Sequence, residues 1–93
     1  MKFVDQIVTG LGGVANIVES EPCATRLLVE VFDRSKVDTA KLRTAGASTI
    51  LLFGNSVQLS VGTRAEAIVR GINERMEADG RVAASLTASG IGG

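Results

Sequence analysis

Two short stretches, RLLVEV at 26–31 and SVQLSV at 56–61, place a candidate core stripe on every second residue. Leu27, Val29 and Val31 alternate with Arg26, Leu28 and Glu30, and Val57, Leu59 and Val61 alternate with Gln58 and Ser60. Successive side chains of a strand point to opposite faces, so each stretch commits one face to a core and leaves the other uncovered. The committed face must then be covered by another layer. Three helical stripes are available to cover it. Phe3, Val4, Ile7, Val8 and Leu11 form the first, and Ala40, Leu42 and Ala45 form a short second one. Ala65, Ile68, Val69, Ile72 and Met76 form the third.

Local chemistry sets the boundaries. Gly12 and Gly13 close the first helix. The run GLGG is therefore a helix end, whereas a phosphate-cradling loop would follow a strand and open a helix. Ser35 and Asp38 each offer an N-cap to the second helix, and Gly46 stops it. Thr63 and Glu66 have the spacing of a capping box, which predicts a bond from the Glu66 amide to the Thr63 hydroxyl. Strands are expected over 15–20 and 25–32, and Ile50–Phe53 pairs with 57–61 through the turn Gly54-Asn55-Ser56. The order predicts an α+β fold over residues 1–79: a two-layer αββαββα domain, with a four-stranded antiparallel sheet and three helices on one face. Residues 80–93, rich in Gly, Ala and Ser, are expected to be a flexible tail or linker.

Composition removes several functions. A chain of 93 residues makes one domain, large enough to fold without staples. Ten Lys and Arg balance ten Asp and Glu, and there is no Trp or Tyr. No basic footprint or stacking platform exists for nucleic acid. The apolar runs are too short to span a bilayer. The one cysteine has no disulfide partner, and without histidine there is neither a Cys–His zinc site nor a hydrolytic Cys–His pair. No metal or cofactor is expected, and a reducing cytoplasm is the natural compartment.

That cysteine, Cys23, lies in SEPCATR between the first two strands, where Pro22 is expected to break the ladder. An isolated cysteine is commonly a small buried hydrophobe. A polar connection between strands belongs at the surface instead, which makes the thiol accessible. Reactivity requires thiolate. Arg26 favours it, Glu19 and Glu21 oppose it, and the sequence leaves that balance open. The chemistry that remains for a thiolate with neither a base nor a second thiol is accepting a group from an activated donor. Phosphoryl transfer fits, because positioning and charge stabilisation supply most of its catalysis. Arg26 and exposed amides are the groups available to hold the phosphoryl oxygens.

Asn16-Ile17, five residues, then Cys23-Ala24-Thr25-Arg26-Leu27 with Val29, Val31 and Asp33, resembles the phosphorylation-site signature of IIB domains. These are the cysteine-phosphorylated subunits of the glucose and N-acetylglucosamine branch of the bacterial sugar phosphotransferase system. The similarity extends through DRSKVDTAKLRTAGA and GNSVQLSVGTRAEAI, and covers residues 3–78. The resemblance implies a phosphocarrier: Cys23 accepts a phosphoryl group from a phosphohistidine on a IIA partner. It then passes the group to a sugar held by a membrane IIC permease. The carrier would work at the inner face of the membrane, associated with IIC or fused to it, with monomer the default for a transient carrier. Thr25 and Arg26 would contact the phosphoryl group, and Gln58 would stand near it. Strand propensity, a solvated charge and an ordinary outward strand position are the plain alternatives for these three. Leu28 occupies a position where the family usually carries a second arginine. The alternative function is therefore a regulatory phospho-acceptor without efficient sugar delivery. Leu28 and Phe32 point away from the core stripe and are the expected partner-docking residues.

Overall fold

The computed structural model describes residues 2–80. Helix α1 (Lys2–Gly10) leads through a 3-10 turn into strands β1 (Ile17–Cys23) and β2 (Arg26–Val31). Helix α2 (Thr39–Ala45) is followed by β3 (Ile50–Phe53), β4 (Ser56–Ser60) and the long helix α3 (Ala65–Ala78). The four strands form one antiparallel sheet in the order β1-β2-β4-β3. This is the αββαββα arrangement expected from the periodicities. The expected tail falls almost wholly outside the described residues.

One face of the sheet is buried and the other is not, as alternation requires. Leu27, Val29, Val31, Val57 and Leu59 are buried against Val4, Ile7, Leu42, Ile68, Ile72 and Met76 from the three helices and Leu11 from the turn that closes α1. At about 25 cal/mol per Å² of apolar surface, this one-sided core is the main stabilising term. The helices approach closely. A Cβ placed on Gly71 would lie 2.8 Å from the methyls of Val4, so α1 packs onto α3 where there is no side chain.

The ends of α1 and α2 follow the residues predicted for them. The Gly13 amide donates to the Val8 carbonyl at 2.9 Å and the Gly12 amide to Thr9 at 3.0 Å, with Gly12 at φ 104. This is the Schellman pattern. Of the two candidate caps for α2, Asp38 serves, accepting from the Lys41 amide at 3.1 Å. Asp5 on α1 is hydrogen-bonded by the Arg75 guanidinium of α3, which holds its carboxyl below the usual carboxylate range.

Three local expectations require correction. The capping box does not form: a 3-10 turn over Gly62–Arg64 takes up Thr63, and α3 starts at Ala65 after Arg64, with no side-chain cap. Tertiary contacts of the preceding amides set that entry. Pro22 does not break the ladder, because β1 continues through it to Cys23 and pairs Pro22 with Leu27. An edge strand tolerates proline, since one row of its N–H groups faces no neighbour. Cys23 is therefore the last residue of β1 and not a loop residue.

Candidate functional site

The β1–β2 hairpin closes through only two residues, Ala24 and Thr25. Ala24 has φ 56 and, among the described residues, is the only non-glycine with positive φ. A left-handed alanine costs about 1–2 kcal/mol, and such strain persists only where the surroundings hold it. Here the holding groups belong to the segment leaving β4. The Val61 and Gly62 amides both donate to the Thr25 carbonyl, at 3.0 and 3.2 Å.

Register places Cys23 opposite Arg26 and Arg26 opposite Ser60. Directly paired residues share a face, so these three side chains form a row across the uncovered face at one end of the sheet. Cys23, Thr25 and Arg26 are all exposed, and the free thiol is open to solvent. Opposed Cβ atoms in such pairs lie about 4.5–5.5 Å apart, so the Arg26 guanidinium can reach a group attached to the Cys23 sulfur.

The next row runs Glu21, Leu28, Gln58, Leu51. Gln58 is half-buried and two strands from Cys23, roughly 12 Å away by strand and residue spacing. It is one row behind the thiol on the same uncovered face. Leu28, also half-buried, lies one row behind Arg26 on the same face. A shallow depression of about 210 Å³ lies over Glu21, Leu28, Glu30 and Gln58. Phe32 follows β2 at the opposite end and is 62% exposed. It is six residues from Arg26, about 20 Å along the strand direction. Cys23, Thr25 and Arg26 thus cluster, Leu28 and Gln58 flank them with the exposed Leu51 at the end of their row, and the exposed Phe32 and Phe53 lie toward the other end of the same open face.

Sequence reasoning missed three contributors. Ser60 enters the row through the β2–β4 register, which no local pattern specifies. The turn strain at Ala24 was hidden because the usual signal for a left-handed position is glycine. The amides of Val61 and Gly62 act through tertiary contact with Thr25. A glycine ending a strand is the only hint the sequence carries of that contact. Among the described residues, no cluster of potential ligands could hold a metal ion, and no helix is long and apolar enough to cross a membrane.

Comparisons with known proteins converge on one assignment. The family model described as phosphotransferase system, EIIB matches residues 5–38. The N-acetylglucosamine-specific EIIB component of the phosphotransferase system of Streptomyces coelicolor is 43% identical over 72 residues, covering 77% of this chain and 94% of that protein. The glucose-specific EIICBA component of Staphylococcus carnosus is 38% identical over 77 residues, covering 83% of this chain and 11% of that much longer protein. Among solved structures, one domain of the IIabc component from Clostridium difficile superposes with a TM-score of 0.66 at 26% identity. That match covers 81% of this chain and 79% of the other.

Proposed function

Because this chain belongs to the EIIB family of the phosphotransferase system, in its glucose and N-acetylglucosamine branch, we propose that Cys23 is its phosphoryl acceptor. A phosphocarrier role in sugar uptake follows from membership. The finer reading assigns the steps. The Cys23 thiolate attacks the phosphorus of a phosphohistidine on a IIA protein; the sulfur–phosphorus bond forms as the phosphorus–nitrogen bond breaks, and the histidine nitrogen keeps the electron pair. A sugar hydroxyl bound in a IIC permease then attacks the same phosphorus; the oxygen–phosphorus bond forms as the hydroxyl gives up its proton, and the sulfur–phosphorus bond breaks with its electron pair kept by the departing thiolate. The observation that carries this reading is the exposed thiol in direct register with Arg26 at the rim of an uncovered sheet face. Two large partners must reach the sulfur in turn, and the end of an edge strand admits both.

Arg26 neutralises phosphoryl oxygens, Thr25 offers a hydroxyl beside them, and Gln58 contacts the group from the row behind. Leu28 and Phe32 lie on the docking face for IIA, Leu28 close to the thiol and Phe32 at the far margin of a contact of ordinary size. The arrangement in the Staphylococcus carnosus relative supports work at the inner face of the membrane, through association with IIC. Incubation with phosphorylated IIA, followed by peptide mapping, tests the assignment. The phosphate is expected on the peptide containing Cys23, and stoichiometric label on any other residue would overturn it.

Leu28 supports a second reading, a regulatory acceptor with weakened delivery. It stands one row behind Arg26 on the same face, where a second guanidinium would flank the same phosphate. A charge-assisted hydrogen bond of that kind contributes about 1.5–3 kcal/mol, or roughly ten- to a hundredfold in rate if felt in the transition state. Leu28→Arg is therefore expected to accelerate sugar phosphorylation in the presence of IIC by about tenfold or more. Phosphate acceptance from IIA should change much less. An unchanged sugar-transfer rate would show that leucine does not limit delivery.

A further inference from the structure

We infer that Gly62 is a positioning residue for phosphoryl transfer, its left-handed backbone letting two consecutive amides hold the strained turn that follows Cys23. The inference rests on Cys23 being the acceptor and extends that site to a segment in another part of the sequence. Three observations combine. Ala24, immediately after the cysteine, sits at φ 56 with no glycine to ease it. The Thr25 carbonyl, immediately after Ala24, accepts from both Val61 and Gly62. Gly62 itself has φ 72, and nothing lies within 4 Å of where its Cβ would be.

The last observation separates packing from conformation. A side chain at 62 would meet open space, so the fold does not require glycine there for room. It requires glycine for the torsion. The torsion matters because both sides of it are anchored. On one side Val61 is buried and its amide is bonded to Thr25; on the other, Ala65 and Ile68 seat α3 in the core. If residue 62 moves to negative φ, one side must yield. The core contacts of α3 are many and the clamp is two hydrogen bonds, so the clamp yields. Released, Ala24 can leave its left-handed conformation, and Cys23 loses its fixed relation to Thr25 and Arg26. The β2–β4 ladder at Arg26 and Ser60 remains, so the domain stays folded while its tip loosens.

The test compares Gly62→Val with Gly62→Asn in the full chain. Both add a side chain to the same open space, but asparagine tolerates the left-handed region and a β-branched residue does not. The rate of Cys23 phosphorylation is measured against the concentration of phosphorylated IIA. For Gly62→Val the maximal rate is expected to fall about tenfold, with the half-saturating concentration within about twofold of the parent, as misplacement of a reacting atom predicts. Gly62→Asn should recover at least half of the parent rate. Circular dichroism melts identify the folded variants, and Gly62→Ala replaces the valine variant if that one does not fold. Equal maximal rates for all folded variants would overturn the inference, as would an asparagine variant as slow as the valine variant. Alkylation of Cys23 by iodoacetamide provides a readout independent of IIA. If the parent accepts no phosphate, the acceptor assignment fails, and the order of alkylation rates still decides whether Gly62 holds the turn: a spread in the same order supports the clamp and equal rates refute it.

Discussion

Replacing Cys23 with serine is expected to leave a folded domain that accepts no phosphate from IIA. The side chain lies outside the core, at the exposed end of an edge strand. Exchanging sulfur for oxygen there removes no buried contact, and exposed substitutions of this kind stay within about 0.5 kcal/mol of the parent in stability. The chemical change is large. A thiol is a few per cent thiolate at neutral pH and intrinsically nucleophilic, whereas a serine hydroxyl needs an adjacent base to attack. No histidine exists anywhere in the chain to serve as that base. Phosphate incorporation is therefore expected to fall to background while the melting temperature stays unchanged. Measuring both on the same preparation checks the prediction. Retained incorporation would move the acceptor elsewhere, and a collapsed melting curve would show that the thiol supports the fold.

The fold was legible because its strongest signals are periodic and local. Leu27, Val29 and Val31 specified the buried face of β2, and Gly12 and Asp38 specified helix ends through chemistry within a few residues. The thiol's exposure was legible for a partly mistaken reason. Pro22 was expected to end the strand, whereas the edge position of β1 lets the ladder run on through it to Cys23. That difference fixes the geometry of the site, because it puts Cys23 in register with Arg26 instead of leaving it on a slack loop. The missed features are contacts between segments distant in sequence. Thr63 carries the residues of a capping box, but the chain enters α3 through a 3-10 turn whose preceding amides are bound to Thr25. Propensity favours a cap, and tertiary hydrogen bonds override it. Gln58 and Phe32 lie on the same strand face as Arg26 or beside it, yet only the register reveals that one is a row from the thiol and the other at the far end.

Asn16 carries the second large effect, and it separates the two roles mixed within the signature segment. Asn16→Leu is expected to lower stability by about 2–4 kcal/mol, which for a domain this size shifts the melting temperature by roughly 10–25 °C. Only 4% of Asn16 is exposed, and its side chain joins three elements. Its amide donates to the Leu11 carbonyl at 2.8 Å and to the Asp33 carbonyl at 3.0 Å, and its oxygen accepts from the Asp33 amide at 2.9 Å. Its own carbonyl accepts from Phe32 at 2.9 Å. The end of α1, the start of β1 and the chain leaving β2 are thereby held at one point. Leucine is close in volume but satisfies none of these groups, and buried polar groups left unpaired each cost about 1–3 kcal/mol. Asn16→Asp should be no better, since a carboxylate would face the Leu11 and Asp33 carbonyls where the amide now donates. A loss below about 0.5 kcal/mol in both variants would show that water replaces these bonds cheaply. Seven residues of strand put Cys23 about 20 Å from this junction, so whatever fraction remains folded should accept phosphate at the parental rate. A parental rate per folded molecule with much reduced stability would identify Asn16 as the residue that holds the sheet's far end, while Cys23, Thr25 and Arg26 carry the transfer. A slowed rate per folded molecule would mean that strain at one end of β1 reaches the other.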